Sequence, residues 1–215
     1  MTETDGPARP SAQCQGTAAS RTIAAVPEAE THLAVARLRS GDAAHAGRDH
    51  SARQVGTGVV VQVNVSPGGV PKHPVEGTFV GRLGLNGDDH DDREGHGGPN
   101  RAVCLLAVEV IRRIAAEGHP IAPGTTGENV TAEGIEFGAL PIGTRLQIGD
   151  ELLLELTGPT TPCKTIRDSF SDGRFVRLGT RLHGVDTRVY ARVVREGMIE
   201  PGDVIRVLPI EVATA

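Results

Sequence analysis

Three short stretches of this chain carry side chains able to do chemistry, and the sharpest of them centres on a thiol. Cys163 stands in Thr160-Thr161-Pro162-Cys163-Lys164, just after an apolar run at 152–157. That order puts the thiol at a strand end or in a loop instead of in a core. Lys164 sets a cation beside the sulfur, and the thiolate is the form that ligates metals and attacks electrophiles. A lone cysteine is more often structural, because cysteine is among the most buried residue types. The Pro-Cys-Lys setting tips this one toward function. Cys104, flanked by Val103, Leu105 and Leu106, has the opposite character and reads as core, while Cys14 lies in a polar N-terminal stretch.

The second stretch, Gly95-His96-Gly97-Gly98-Pro99-Asn100-Arg101-Ala102-Val103, packs glycines around a histidine and sets an arginine at the mouth of an apolar segment. Glycines let backbone N–H groups approach an anion, and arginine holds a phosphate bidentately. A tight loop with a surface arginine is the plainer alternative. In the third, Gly127-Glu128-Asn129-Val130-Thr131, Asn129 offers a donor and an acceptor to a heterocycle edge. A turn-forming Asn is the plainer reading there. The run from Asp88 to His96 is rich in carboxylates and imidazoles, yet lacks the ligand order of a calcium loop and reads as a solvated acidic loop. Neither a serine elbow, a phosphate loop of the NTPase type nor a dinucleotide fingerprint is present.

The elements that hold these groups follow from composition and periodicity. Aromatic residues make up only 2 % of the 215 residues and Trp is absent, so Val, Leu, Ile and Ala must build the core. That argues against an aromatic cage or a base-stacking surface. A formal charge of −5 gives no general attraction to phosphate backbones, and nucleic acid is not an expected partner. No apolar run is long enough to span a bilayer, and three scattered cysteines suggest neither a disulfide framework nor a zinc ribbon. The expected setting is the reducing cytoplasm, away from the membrane. With 28 Gly and 14 Pro, short strands and tight turns are favoured over long helices.

Residues 1–54 hold few large apolar side chains and read as a disordered or weakly helical extension, its one helical candidate lying at 27–38. The folded domain is expected over 55–210. It opens with Val59, Val61, Val63 and Val65 alternating with Val60, Gln62 and Asn64, the period of a half-buried strand. Further strands are predicted at 79–83, 102–107, 145–148, 152–157, 188–194 and 204–208. Val108, Ile111 and Ala115 recur at helical spacing before Gly118, which predicts a helix over 108–117. A second, weaker helix is expected within 164–182. Many short strands with one or two helices give an α+β class that is mainly β, a closed or strongly curved antiparallel sheet with a few short helices.

Taken in order, Val65-Ser66-Pro67-Gly68-Gly69-Val70-Pro71-Lys72, His96-Gly97-Gly98-Pro99 with Arg101-Ala102-Val103, Gly127-Glu128-Asn129-Val130-Thr131, Pro162-Cys163 and Tyr190-Ala191-Arg192-Val193-Val194 resemble stand-alone bacterial-type MOSC proteins. MOSC is the module named from the C-terminus of molybdenum-cofactor sulfurases. The resemblance covers roughly 56–208 and leaves the N-terminal stretch without a counterpart. It implies a β-barrel-like fold that binds molybdenum cofactor, a pterin dithiolene with a terminal phosphate, with Cys163 as the ligand to molybdenum. By the same resemblance Lys72 and Arg101 face the pterin phosphate, Asn129 lies near the metal or pterin, and His96 and Arg192 contact the cofactor or shape its pocket. It further implies reduction of small N-hydroxylated substrates, such as hydroxylaminopurines and amidoximes. The electrons would come from a separate reductase, since the chain has no flavin or haem motif and too few cysteines for an iron–sulfur cluster. Two other readings stay open: a sulfur carrier holding a persulfide on Cys163 during maturation of molybdenum cofactor or a metal–sulfur cluster, and a cofactor-storage module without turnover. Pyridoxal phosphate as a further ligand also stays open.

Overall fold

The computed structural model describes residues 56–89 and 97–209. The expected N-terminal extension with its helical candidate, Cys14 and His96 lie outside those residues. In chain order the strands are β1 (Gly56–Val65), β2 (His73–Val75), β3 (Thr78–Gly81), β4 (Gly84–Leu85) and β5 (Val103–Ala107), followed by helix α1 (Val108–Ala116). Then come β6 (Val130–Glu133), β7 (Arg145–Ile148), β8 (Leu152–Pro159), the short helix α2 (Thr180–His183), β9 (Val189–Arg195), β10 (Gly197–Ile199) and β11 (Val204–Leu208). Hydrogen bonding runs β11-β7-β8-β9-β5-β6-β1, and β11 pairs with β1 to close seven strands into a barrel, with β2 appended to β1. A separate three-stranded sheet takes the order β10-β3-β4.

Alternating burial builds the interior. Along β8 the side chains of Leu152, Leu154 and Leu156 are buried while Leu153, Glu155 and Thr157 are less so, and β9 repeats the pattern with Val189, Ala191 and Val193. Each fully buried leucine stabilises the fold by about 1.5–3 kcal/mol relative to exposure. Every residue of β5 is buried, because the strand lies inside the sheet and α1 returns over it. Val108, Val110, Ile111 and Ile114 form the buried stripe of α1. Ile114 therefore takes the place that sequence spacing gave to Ala115. Gly118, at φ 91°, donates its N–H to the Ala115 carbonyl at 2.9 Å and ends the helix.

Three sequence expectations need correction. The sheet is not wholly antiparallel: β5 and β6 run parallel, since the crossover through α1 brings the chain back in the same direction. The alternation of β1 breaks at a bulge between Val60 and Gln62, so Val60 and Val63 face the core while Val61 is 37 % exposed. One extra residue in a strand shifts every following side chain to the other face. The predicted second helix at 164–182 is instead two short 3₁₀ turns, Lys164–Ser169 and Phe175–Arg177, and the four-residue α2. Gly173, at φ 68°, and Gly179 interrupt any longer helical run.

Candidate functional site

Three of the sequence motifs meet in a buried polar cluster where β1 ends and β6 begins. The loop after β1 carries Lys72 inward, and the lysine amine is ion-paired with Asp88, both side chains being 4 % exposed. Asp88 also accepts the Ser66 N–H at 2.9 Å and the Asn129 side-chain amide at 2.8 Å. Asn129 is spent within the chain on every side. Its Oδ1 accepts the Cys104 N–H at 3.0 Å, its own N–H donates to the Cys104 carbonyl at 2.8 Å, and its carbonyl accepts the Asn64 N–H at 2.7 Å. At Asp88 the solvated-loop expectation is thus corrected, since its carboxylate is ion-paired inside the fold. Residues 90–96 of the loop lie outside the described region.

Gly124 makes this packing feasible. Its carbonyl accepts the Lys72 N–H at 2.9 Å, and a Cβ added there would stand 2.3 Å from the Lys72 carbonyl oxygen. Next to it, Glu128 is fully buried and accepts the Gly124 N–H at 2.6 Å and the hydroxyls of Thr126 and Thr131 at 2.6 and 3.1 Å. The second buried cation is Arg188, which opens the approach to β9 and is 7 % exposed. Its Nη1 donates to the Thr126 carbonyl, whereas its Nε finds no acceptor among the described residues.

Cys104 is buried as the sequence suggests, but in charged company. Its backbone is clasped by Asn129, and Arg188, Glu128, Lys72 and Asp88 all act on its thiol electrostatically. Burial pushes that thiol up to about 11, with Arg188 pulling the other way. Cys104 pairs in register with Tyr190 on β9. Burial lifts the Tyr190 phenol to about 12, with Cys104 and Cys163 adding to the rise while Arg188 and Arg101 oppose it. The guanidinium of Arg101 lies 5.9 Å from the Tyr190 ring centroid, within cation–π range. The hydroxyl of Thr157 sits 2.7 Å from the Asn100 carbonyl and 3.1 Å from that of Tyr190, tying the Gly-Gly-Pro loop to β9.

Cys163 follows the end of β8, half-buried and unbridged, with Thr165 Oγ1 2.9 Å from its sulfur. Thr160, three residues earlier, donates its N–H to the Arg188 carbonyl at 2.9 Å, and its buried hydroxyl has no partner among the described residues. Backbone pairing therefore ties the thiol segment to the stretch that supplies Arg188. Arg192 is placed differently: it is exposed and ion-paired with Glu155 at 2.8 Å, in a cross-strand row shared with Arg145. Burial raises the Glu155 carboxyl, and the hydrogen bonds from Arg145 and Arg192 outweigh it and leave the group below its ordinary value.

Among the candidate residues, then, Lys72 and Asn129 converge on Asp88, Arg101 lies against Tyr190, Cys163 stands beside Thr165, and Arg192 faces Glu155. Sequence reasoning missed Asp88, Glu128, Thr160 and Arg188. Glu128 had a signal, an acidic residue inside an otherwise buried motif; so did Arg188, a charge heading the apolar strand Val189–Arg195. Among the described residues no group of three His, Cys, Asp or Glu side chains is arranged to hold a metal ion. No described helix is long and apolar enough to cross a membrane.

Comparison with known proteins agrees with the fold. The family model described as MOSC domain matches residues 92–206, more than half of the chain. The chain is 29 % identical over 136 residues to the uncharacterized protein YflK of Bacillus subtilis (strain 168), spanning 62 % of this chain and 60 % of that protein. It is 30 % identical over 134 residues to a protein named Reductase from Gibberella moniliformis, spanning 60 % of this chain but only 23 % of that one. The crystal structure of the YUAD protein from Bacillus subtilis superposes with a TM-score of 0.60 at 19 % identity, covering 70 % of this chain and 95 % of that one. The match spans less than two thirds of either curated relative's length, and the YUAD likeness bears on the fold.

Proposed function

This chain belongs to the MOSC domain family, and from that premise we propose that it binds molybdenum cofactor through Cys163 and reduces N-hydroxylated compounds with electrons from a separate reductase. When bound, a molybdenum pterin supplies the two-electron chemistry that cleaves an N–OH bond, which no amino-acid side chain offers. The chain's own part is to hold that group and to orient the substrate.

The observation that carries the reading is a half-buried thiol whose segment is hydrogen-bonded to that of a buried arginine, Arg188, whose Nε has no acceptor among the described residues. An unmet Arg donor in a fold interior costs about 1–3 kcal/mol, so such a group marks a place for a ligand oxygen. The donor set suits the cofactor: thiolate is a soft ligand matched to molybdenum, and a guanidinium matches a phosphate. We assign Cys163 to the metal, with Arg188 and Arg101 as the cations toward the phosphate. Lys72, whose charge Asp88 offsets, acts with Asn129 by fixing the loop that borders the site. Asp88 would have to release Lys72 for the lysine to meet a phosphate directly.

The test is metal and pterin analysis of protein purified from cells that make the cofactor. Wild type is expected to carry molybdenum and pterin, Cys163→Ser to lose the molybdenum, and Arg188→Met to retain the fold with reduced pterin content. Wild-type protein free of both would refute the reading. A persulfide on Cys163 after exposure to a cysteine desulfurase, with no metal bound, would move the protein to the sulfur-carrier class.

A further inference from the structure

Against Pro162, the residue that precedes Cys163, lies a cavity of about 420 Å³ that none of the assigned residues lines. One wall is the segment that leads into the thiol, through Thr160 and Pro162; the other comes from Val176, Thr180, Arg181 and Leu182. The walls close on each other at Gly179, where an added Cβ would stand 3.1 Å from the Pro162 ring. Val176 is 43 % exposed and Leu182 is 61 % exposed. They come from different short elements yet line one hollow with Pro162, where scattered exposed leucines would need no account.

We propose that this cavity receives the neutral, apolar aryl or alkyl body of the substrate, leaving its N-hydroxyl head toward Cys163. The proposal rests on the reductase reading for the head group but stands on the cavity for the body. The lining decides the ligand class. Pro162, Val176 and Leu182 supply apolar surface, Thr160, Thr161 and Thr180 bring hydroxyls, of which that of Thr160 is buried without a partner among the described residues, and the one cation is Arg181. A pterin phosphate would demand more buried donors than this hollow holds. The volume lies at the small end of the range for organic ligands, which suits one or two rings. Across Val176 and Leu182 a second cleft of about 450 Å³ is lined by charged groups such as Glu117, Asp172, Arg174 and Arg177. The two apolar side chains thus divide an apolar hollow from an ionic one and favour an uncharged body.

The test pairs binding with turnover. Benzamidoxime, with an aryl body, and acetamidoxime, with almost none, are titrated by calorimetry against wild type, Leu182→Asp and Val176→Ser. Both positions are partly exposed, so melting temperatures are expected to stay near wild type and to confirm folding. Benzamidoxime is expected to bind wild type, and its affinity to fall at least tenfold in Leu182→Asp. With a competent electron donor, KM for benzamidoxime rises with kcat little changed, and acetamidoxime reduction is unaffected. Absence of benzamidoxime binding to wild type, or equal affinity in all three folded proteins, overturns the proposal. Retained, Leu182-dependent binding without reduction of either compound supports the subsite and counts against the reductase reading.

Discussion

Replacing Asp88 by Ala removes the acceptor on which three donors converge: the Lys72 ammonium, the Asn129 amide and the Ser66 N–H. Lys72 is left as a buried charge at 4 % side-chain exposure. Breaking a buried ion pair by deleting one partner typically costs about 3–5 kcal/mol. Against a usual total of about 5–15 kcal/mol, that leaves a marginal protein. Asp88→Asn, which keeps the shape and one acceptor, should sit at the low end, near 3 kcal/mol. Lys72→Met should cost a comparable amount, because it strands the carboxylate instead. The double variant Lys72→Met/Asp88→Ala should then recover about 1–3 kcal/mol relative to the sum of the single changes, since the two effects share one interaction. Urea unfolding followed by far-ultraviolet circular dichroism gives these values, and hydrogen exchange at the Ser66 amide reports the local loss. Added salt should leave the cost nearly unchanged, because a buried pair is weakly screened. A cost under about 1 kcal/mol for Asp88→Ala, or single effects that add within about 0.5 kcal/mol, would refute the claim that this carboxylate anchors the cluster.

Cys104 should resist iodoacetamide in the native protein while Cys163 reacts, which mass spectrometry of the labelled peptides reads directly. Its thiol stands at about 11 against an ordinary 9.0, so the folded state holds the proton more tightly. The resulting stability is present below pH 9 and is lost as pH rises from 9 to 11, by about 3 kcal/mol for a two-unit difference, when compared with Cys104→Ala in alkaline melts. Gly124→Ala should cost at least about 2 kcal/mol in urea, because φ is 82° there and the new Cβ would meet the Lys72 carbonyl. Arg188→Met should leave urea stability within about 1 kcal/mol of wild type, since a buried charge with few partners adds little; a loss above about 3 kcal/mol would make Arg188 a structural residue first.

Much of the barrel was legible in the residues because alternating burial writes a period of two. β8, β9 and β11 fall close to their expected places for that reason, and α1 follows from its apolar stripe. β6 was missed because Val130–Glu133 is four residues long and its partner β5 is chosen by the crossover through α1, not by local pattern. The bulge in β1 escaped for a similar reason, since a single inserted residue in a run of valines leaves no compositional trace. At the site, residue types named the thiol and the motif cations, but partners across the fold decide what each one does. Nothing in the sequence near Lys72 announces Asp88, sixteen positions away. Nor does the Tyr190-Ala191-Arg192 run say that Arg192 turns to Glu155.

The seam between β1 and β11 gives the barrel a temporal property. Gly56 to Val59 can find Val204 to Val207 only after all of the intervening chain has been made, so among the barrel strands β1 waits longest for one of its edges. Until then that valine-rich edge is open to wrong pairing, and contacts so distant in sequence form slowly. The wait for β11 is therefore the exposed stage of folding, and a chaperone that shields a single β edge would help this protein more than one that unfolds traps.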